Sequence, residues 1–177
     1  MIVARDKIRN NIVEYILYMY QIEDIIRANH LNPDELEKNV ISKYVLPPDQ
    51  MNELRKWYRN LVTQMIQEDI QEQGHLKSLK ELIFQLNDLH IQLLNTLGED
   101  RYLELYHWAS EYISELKNKM KQPEMTEIEV CINGLYGFMI LKLKNHEISQ
   151  ETLTAMAVFS QLLGYVTKKY HMLFPAH

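Results

Sequence analysis

Glutamate and histidine spaced three residues apart on a helix can ligate one metal ion. Two such E-x-x-H segments occur here, Glu72-Gln73-Gly74-His75 and Glu104-Leu105-Tyr106-His107. Di-metal bundles need these pairs to project inward from facing helices. With 17 Glu and 7 His in 177 residues, chance supplies roughly 0.7 matches, so two carry little weight. On the Leu105, Ala109, Ile113, Leu116, Met120 wheel, Glu104 and His107 fall on the polar side. The first pair straddles an expected helix end. No metal site and no cofactor is expected.

His90 is the stronger lead. It interrupts the apolar stripe Leu79, Ile83, Leu86, Leu93, Leu94, Leu97, and a buried imidazole needs hydrogen-bond partners. Glu23 lies on the apolar arc Ile8, Ile12, Ile16, Met19, Ile26 and is a candidate partner. It also stands four residues before Arg27, where an ion pair along the helix competes. If the chain has a pocket, Glu23, His90, Asn133 and Tyr136 are expected to line it. The tyrosines Tyr15, Tyr18, Tyr20, Tyr102, Tyr106 and Tyr112 suit a bundle core with hydroxyls at the rim, a pocket lining or an interface. No phosphate loop, Ser/His/Asp arrangement or H-E-x-x-H segment is recognisable.

The elements that must position these residues are helical nearly throughout. Periodicity and caps predict helices over Ala4–Ala28, a short one capped by Asn32 with Pro33 at its first position, then Pro47–Gly74, Leu76–Leu97, Asp100–Met120, Thr126–Asn145, and one from the cap Ser149 to Leu173. The expected fold is all-α, a single-domain bundle over 1–177 of about six long helices and one short one. A hairpin of strands around Asn133-Gly134 is rejected, because no other segment alternates.

Gly134 and Gly137 sit inside an apolar helix, where each glycine costs roughly 1 kcal/mol against alanine. Both fall within about 40° of Val130. Ala157, Ser160 and Gly164 form a similar small strip on the last helix. The two strips are expected to zip together as a close-packed C-terminal hairpin. A groove beside Asn133 and Tyr136 is the competing expectation.

A net charge of −5 argues against a nucleic-acid surface. The clusters Lys117, Lys119, Lys121 and Lys168, Lys169 stand at helix C-termini, where cations complement the dipole. The lone Cys131 excludes an intramolecular disulfide and reads as a small core hydrophobe. Arg5, Lys7 and Arg9 precede an apolar segment in the manner of a leader, but Glu14 interrupts it. No apolar run approaches the roughly 18 residues of a membrane span. A cytoplasmic protein with no membrane partner is expected.

"NIVEYILYMYQIEDIIRA", Asn11 to Ala28, resembles the opening of an uncharacterised family of all-helical proteins, a domain of unknown function, from Bacteroides-type bacteria. "EIEVCINGLYGFMILKLKNHEISQET", Glu127 to Thr152, resembles its later segment, and "LNDLHIQLL" around His90 fits it too. The resemblance spans nearly the whole chain. It implies one α-helical domain in a bacterial cytoplasm and brings no activity, ligand or catalytic residue.

The residues therefore point to a non-enzymatic helical domain that binds a protein, either another protein or a second copy of itself. The alternative is a small-molecule-binding or metal-dependent enzyme with a pocket among Glu23, His90, Asn133 and Tyr136. The first expectation requires an exposed apolar patch. The second requires those four side chains to converge.

Overall fold

The computed structural model describes residues 2–174. Among them lie eight α-helices and no strand: α1 Ile2–Asn10, α2 Ile12–Ala28, α3 Pro33–Asn39, α4 Pro48–Gln67, α5 Lys77–Asn95, α6 Asp100–Met120, α7 Glu127–Leu143 and α8 Gln150–Leu173. A single 3-10 turn, Ile41–Lys43, follows α3. The all-α expectation is met. No helix among the described residues is long and apolar enough to cross a membrane.

Caps place the helix starts as their chemistry requires. The Asn32 side chain accepts from the Asp34 and Glu35 N–H groups, Thr126 from Glu129, and Ser149 from Thr152. Two predicted boundaries differ. The segment expected as one helix, Ala4–Ala28, breaks at Asn11, the second of two adjacent asparagines, a residue type disfavoured in helix interiors. The helix expected to reach Gly74 stops at Gln67 in a Schellman turn. Ile70 N–H donates to Met65 C=O at 3.0 Å, Asp69 N–H donates to Ile66 C=O at 3.2 Å, and Asp69 takes φ 57°. Ile70 is buried at the position where this motif makes its hydrophobic contact.

The chain gathers into two compact units. The first takes Glu14–Lys80 with the chain up to Ile8. Its buried side chains include Ile16, Met19 and Ile26 of α2 and Leu54, Tyr58 and Met65 of α4. Helix α3 packs on α4, and Arg55 there donates to both carboxylate oxygens of Glu37 at 2.8 and 2.9 Å.

The second unit takes the chain from Glu81 onward with Arg9–Val13. In it α8 packs on both α6 and α7, and α6 packs on α7. Gly134 is buried at this junction. A Cβ there would lie 2.8 Å from Leu116 Cδ2 of α6 and 3.2 Å from Phe159 Cε2 of α8. The rest of the expected seam is arranged otherwise. Ala157, Ser160 and Gly164 are exposed, as is Gly137, and a Cβ on Gly137 or Gly164 would meet nothing within 4 Å. Helix α8 turns inward Ala155, Met156, Phe159, Leu162, Leu163 and Val166 instead. That arc removes far more apolar area from water than the small strip, so it decides which side is buried.

Candidate functional site

His90 is buried in the apolar face of α5 and is held from both ring nitrogens. Its Nδ1 lies 2.6 Å from the Tyr102 hydroxyl and its Nε2 lies 3.0 Å from Glu127 Oε2. The Tyr106 hydroxyl donates to the other oxygen, Glu127 Oε1, at 3.1 Å. One turn of α6 separates the two phenols, so both reach the same imidazole, and both rings meet it edge-on. Glu127 is the first residue of α7, just after its Thr126 cap. Helix geometry thus delivers one group from α5, two from α6 and one from α7.

The electrostatics follow from the placement. Glu127 is held below the usual carboxylate range, first by the hydrogen bond from His90, then by the charge of that ring, the Tyr106 hydroxyl and Lys117; burial opposes them. A carboxylate only accepts, so Nε2 carries a proton. Nδ1 accepts from the Tyr102 hydroxyl when the ring is neutral and donates to it when the ring is charged. Burial pushes the Tyr102 phenol up, with Cys131 and Glu127 adding to it. Burial also raises the Cys131 thiol, which makes it a core hydrophobe and not a nucleophile. Tyr102 is fully buried, and only the Glu127 and Tyr106 end reaches solvent. Chemically the network is a satisfied brace across three helices, wet at one end.

Glu23 has a different setting. Its Oε1 accepts from Leu76 N–H at 3.0 Å and its Oε2 pairs with His75 Nδ1 at 2.6 Å. The His75 ring stacks on Tyr20, with centroids 3.5 Å apart and planes 10° from parallel. Arg27, one turn on, donates to Asp24, to the Ile70 carbonyl and to the Gly74 carbonyl. Both side chains tie the segment between α4 and α5 to α2.

Of the four residues expected to line a pocket, Glu23 belongs to the first unit and His90, Asn133 and Tyr136 to the second. Glu23 is taken by His75 and Leu76, and His90 by Tyr102 and Glu127. The half-buried Asn133 donates to Met125 Sδ at 3.4 Å, and Tyr136 is half-buried on the same helix. Of the E-x-x-H pairs, Glu104 accepts from Arg101 and His107 is exposed, while Glu72 is exposed and His75 belongs to Glu23. Among the described residues, no three His, Cys, Asp or Glu are grouped to hold a metal ion. Sequence reasoning missed His75 and Glu127 as partners. The signal available for Glu127 was its position next to a Thr cap, opposite two tyrosines spaced i,i+4.

A third polar knot and an apolar surface complete the second unit. Glu99, just before α6, accepts from the Tyr165 hydroxyl and from Lys169 of α8. Nearby, Phe84 of α5 is 70% exposed, and Met172, Leu173 and Phe174 at the end of α8 are each more than half exposed. A hollow of about 120 Å³ lies between Phe84, Gln85, Asp88, Leu89 and Gln92 on one side and Leu173 and Phe174 on the other.

No curated protein and no solved structure shows a significant match to the chain. A family model matches residues 1–173, and the chain belongs to that family, described as Domain of unknown function (DUF4924).

Proposed function

We propose that this chain is a non-enzymatic helical domain that binds protein through the outer face of α5 and the end of α8. The observation that carries the reading is the solvent-facing Phe84, continuous with Leu173 and Phe174 around one hollow. Single exposed apolar residues are ordinary, but a contiguous patch with two phenylalanines marks a binding surface. The polar networks favour the same reading. His90 and Glu23 have their hydrogen bonds filled by neighbours, and Tyr102 is sealed, so each serves to hold helices in place. The proposed setting is the cytoplasm of a Bacteroides-type bacterium, which rests on the resemblance of Asn11–Ala28 and Glu127–Thr152.

The test is a photoreactive amino acid placed at Leu173 and irradiated in cells. A discrete protein adduct is expected from this position and not from the exposed Lys56 of α4. Equal labelling at both positions, or none at Leu173, would overturn the reading.

A further inference from the structure

The outer face of α5 has an arrangement of charge that selects its own occupant. Lys77, Lys80, Phe84, Asp88 and Ile91 lie within about 40° of one line along the helix, and all five are exposed. Lys80 and Asp88 stand four residues to either side of Phe84. Among the described residues Asp88 accepts only from Gln92 of the same helix, at 2.8 Å, and neither Lys77 nor Lys80 forms an ion pair.

Resting on the interaction reading above, we infer that the surface pairs with a second copy of this chain, α5 against α5, antiparallel about a twofold axis at Phe84. A twofold interface must be self-complementary: whatever residue i meets, it meets symmetrically. With Phe84 on the axis, Lys80 faces Asp88 of the second copy, and the reciprocal pair forms on the other side. Lys77 lies opposite Ile91, over which its methylene stem can pack while the ammonium stays in water. A parallel arrangement sets Lys80 against Lys80 and Asp88 against Asp88, so the same charges reject it. Leu173 and Phe174 extend the apolar part beyond the helix, to on the order of 500 Å² per copy, and the flanking polar side chains bring it toward the roughly 800 Å² per partner of a stable dimer.

Sedimentation velocity on the full chain, from micromolar to near-millimolar concentration, tests this. A concentration-dependent dimer is expected. Phe84→Glu should weaken it roughly 30-fold or more. Lys80→Asp should weaken it about tenfold, and Lys80→Asp combined with Asp88→Lys in one chain should return it to within about threefold of the parent. Far-UV dichroism checks that each variant keeps its helix content, and Ile91→Lys replaces Phe84→Glu if that variant loses it. A monomer throughout, a dimer indifferent to Phe84→Glu and Ile91→Lys, or a double variant no better than Lys80→Asp would overturn the inference. A photoreactive residue at position 84 separates the two readings. An adduct with a second copy supports self-pairing. An adduct with a different protein overturns self-pairing and leaves the interaction reading standing, and no adduct overturns both.

Discussion

At the residue scale, the two interior glycines of α7 have opposite roles. Gly134 accommodates Leu116 and the Phe159 ring, both closer to an added Cβ than ordinary contact allows, whereas Gly137 faces open space. Alanine is favoured over glycine in a helix by roughly 1 kcal/mol. Gly137→Ala should therefore raise stability by about 0.5–1 kcal/mol. At Gly134 the Leu116 methyl can swing away, but the buried ring has little room to retreat. Gly134→Ala should lower stability by about 1–2 kcal/mol. Urea denaturation of both variants checks the pair, and equal effects of one sign would contradict the packing assigned to Gly134. The His90 network shows the same dependence on surroundings. The imidazole interrupts an apolar stripe, yet it costs little because both nitrogens find partners inside the protein.

Elements are set mainly by their ends. Three helices finish in Schellman turns whose left-handed residue is His30, Asp69 or Asn145, not glycine. Of the residues that follow, Ile70 is buried, Leu31 is half-buried and His146 is exposed, so the hydrophobic contact of the motif is made at Asp69-Ile70. The Gly74 signal misleads for this reason: the stop occurs earlier, where Ile70 can be buried. The segment after α4 then has no helical bonds of its own and depends on α2 for acceptors and donors. Glu23→Ala leaves Leu76 N–H and His75 without their acceptor in a buried place. It should cost about 2–3 kcal/mol, with faster amide exchange over residues 69–76. Glu23→Gln, which keeps one acceptor oxygen, should cost less. Unchanged exchange in that segment for Glu23→Ala would show that other contacts hold it.

For the whole molecule, acid stability is the readout that collects these contacts. Glu127, Glu37 and Glu99 are each held below the usual carboxylate range, by His90, Arg55 and Lys169 respectively. A carboxyl whose folded value lies below its unfolded value of about 4.3 stabilises the fold above that pH. The contribution is lost as pH falls through the folded value. The melting temperature should therefore drop on acidification below about pH 4.3. Glu127→Gln should melt lower than the parent at neutral pH, with the gap closing in acid. A gap that stays constant with pH would mean that the carboxylate charge is not what stabilises this junction.

Much of this architecture was legible in the chain before folding. Helical period, the caps Asn32 and Ser149, and the burial of His90 and Cys131 all depend on neighbours within about four residues, and local sequence carries that information. Tertiary structure decided the rest. His90 meets Glu127 across 37 residues and Glu23 meets His75 across 52, separations at which no spacing rule pairs one polar group with another. The buried side of α8 was likewise undetermined by its small strip, because apolar area removed from water is summed over every helix that packs there.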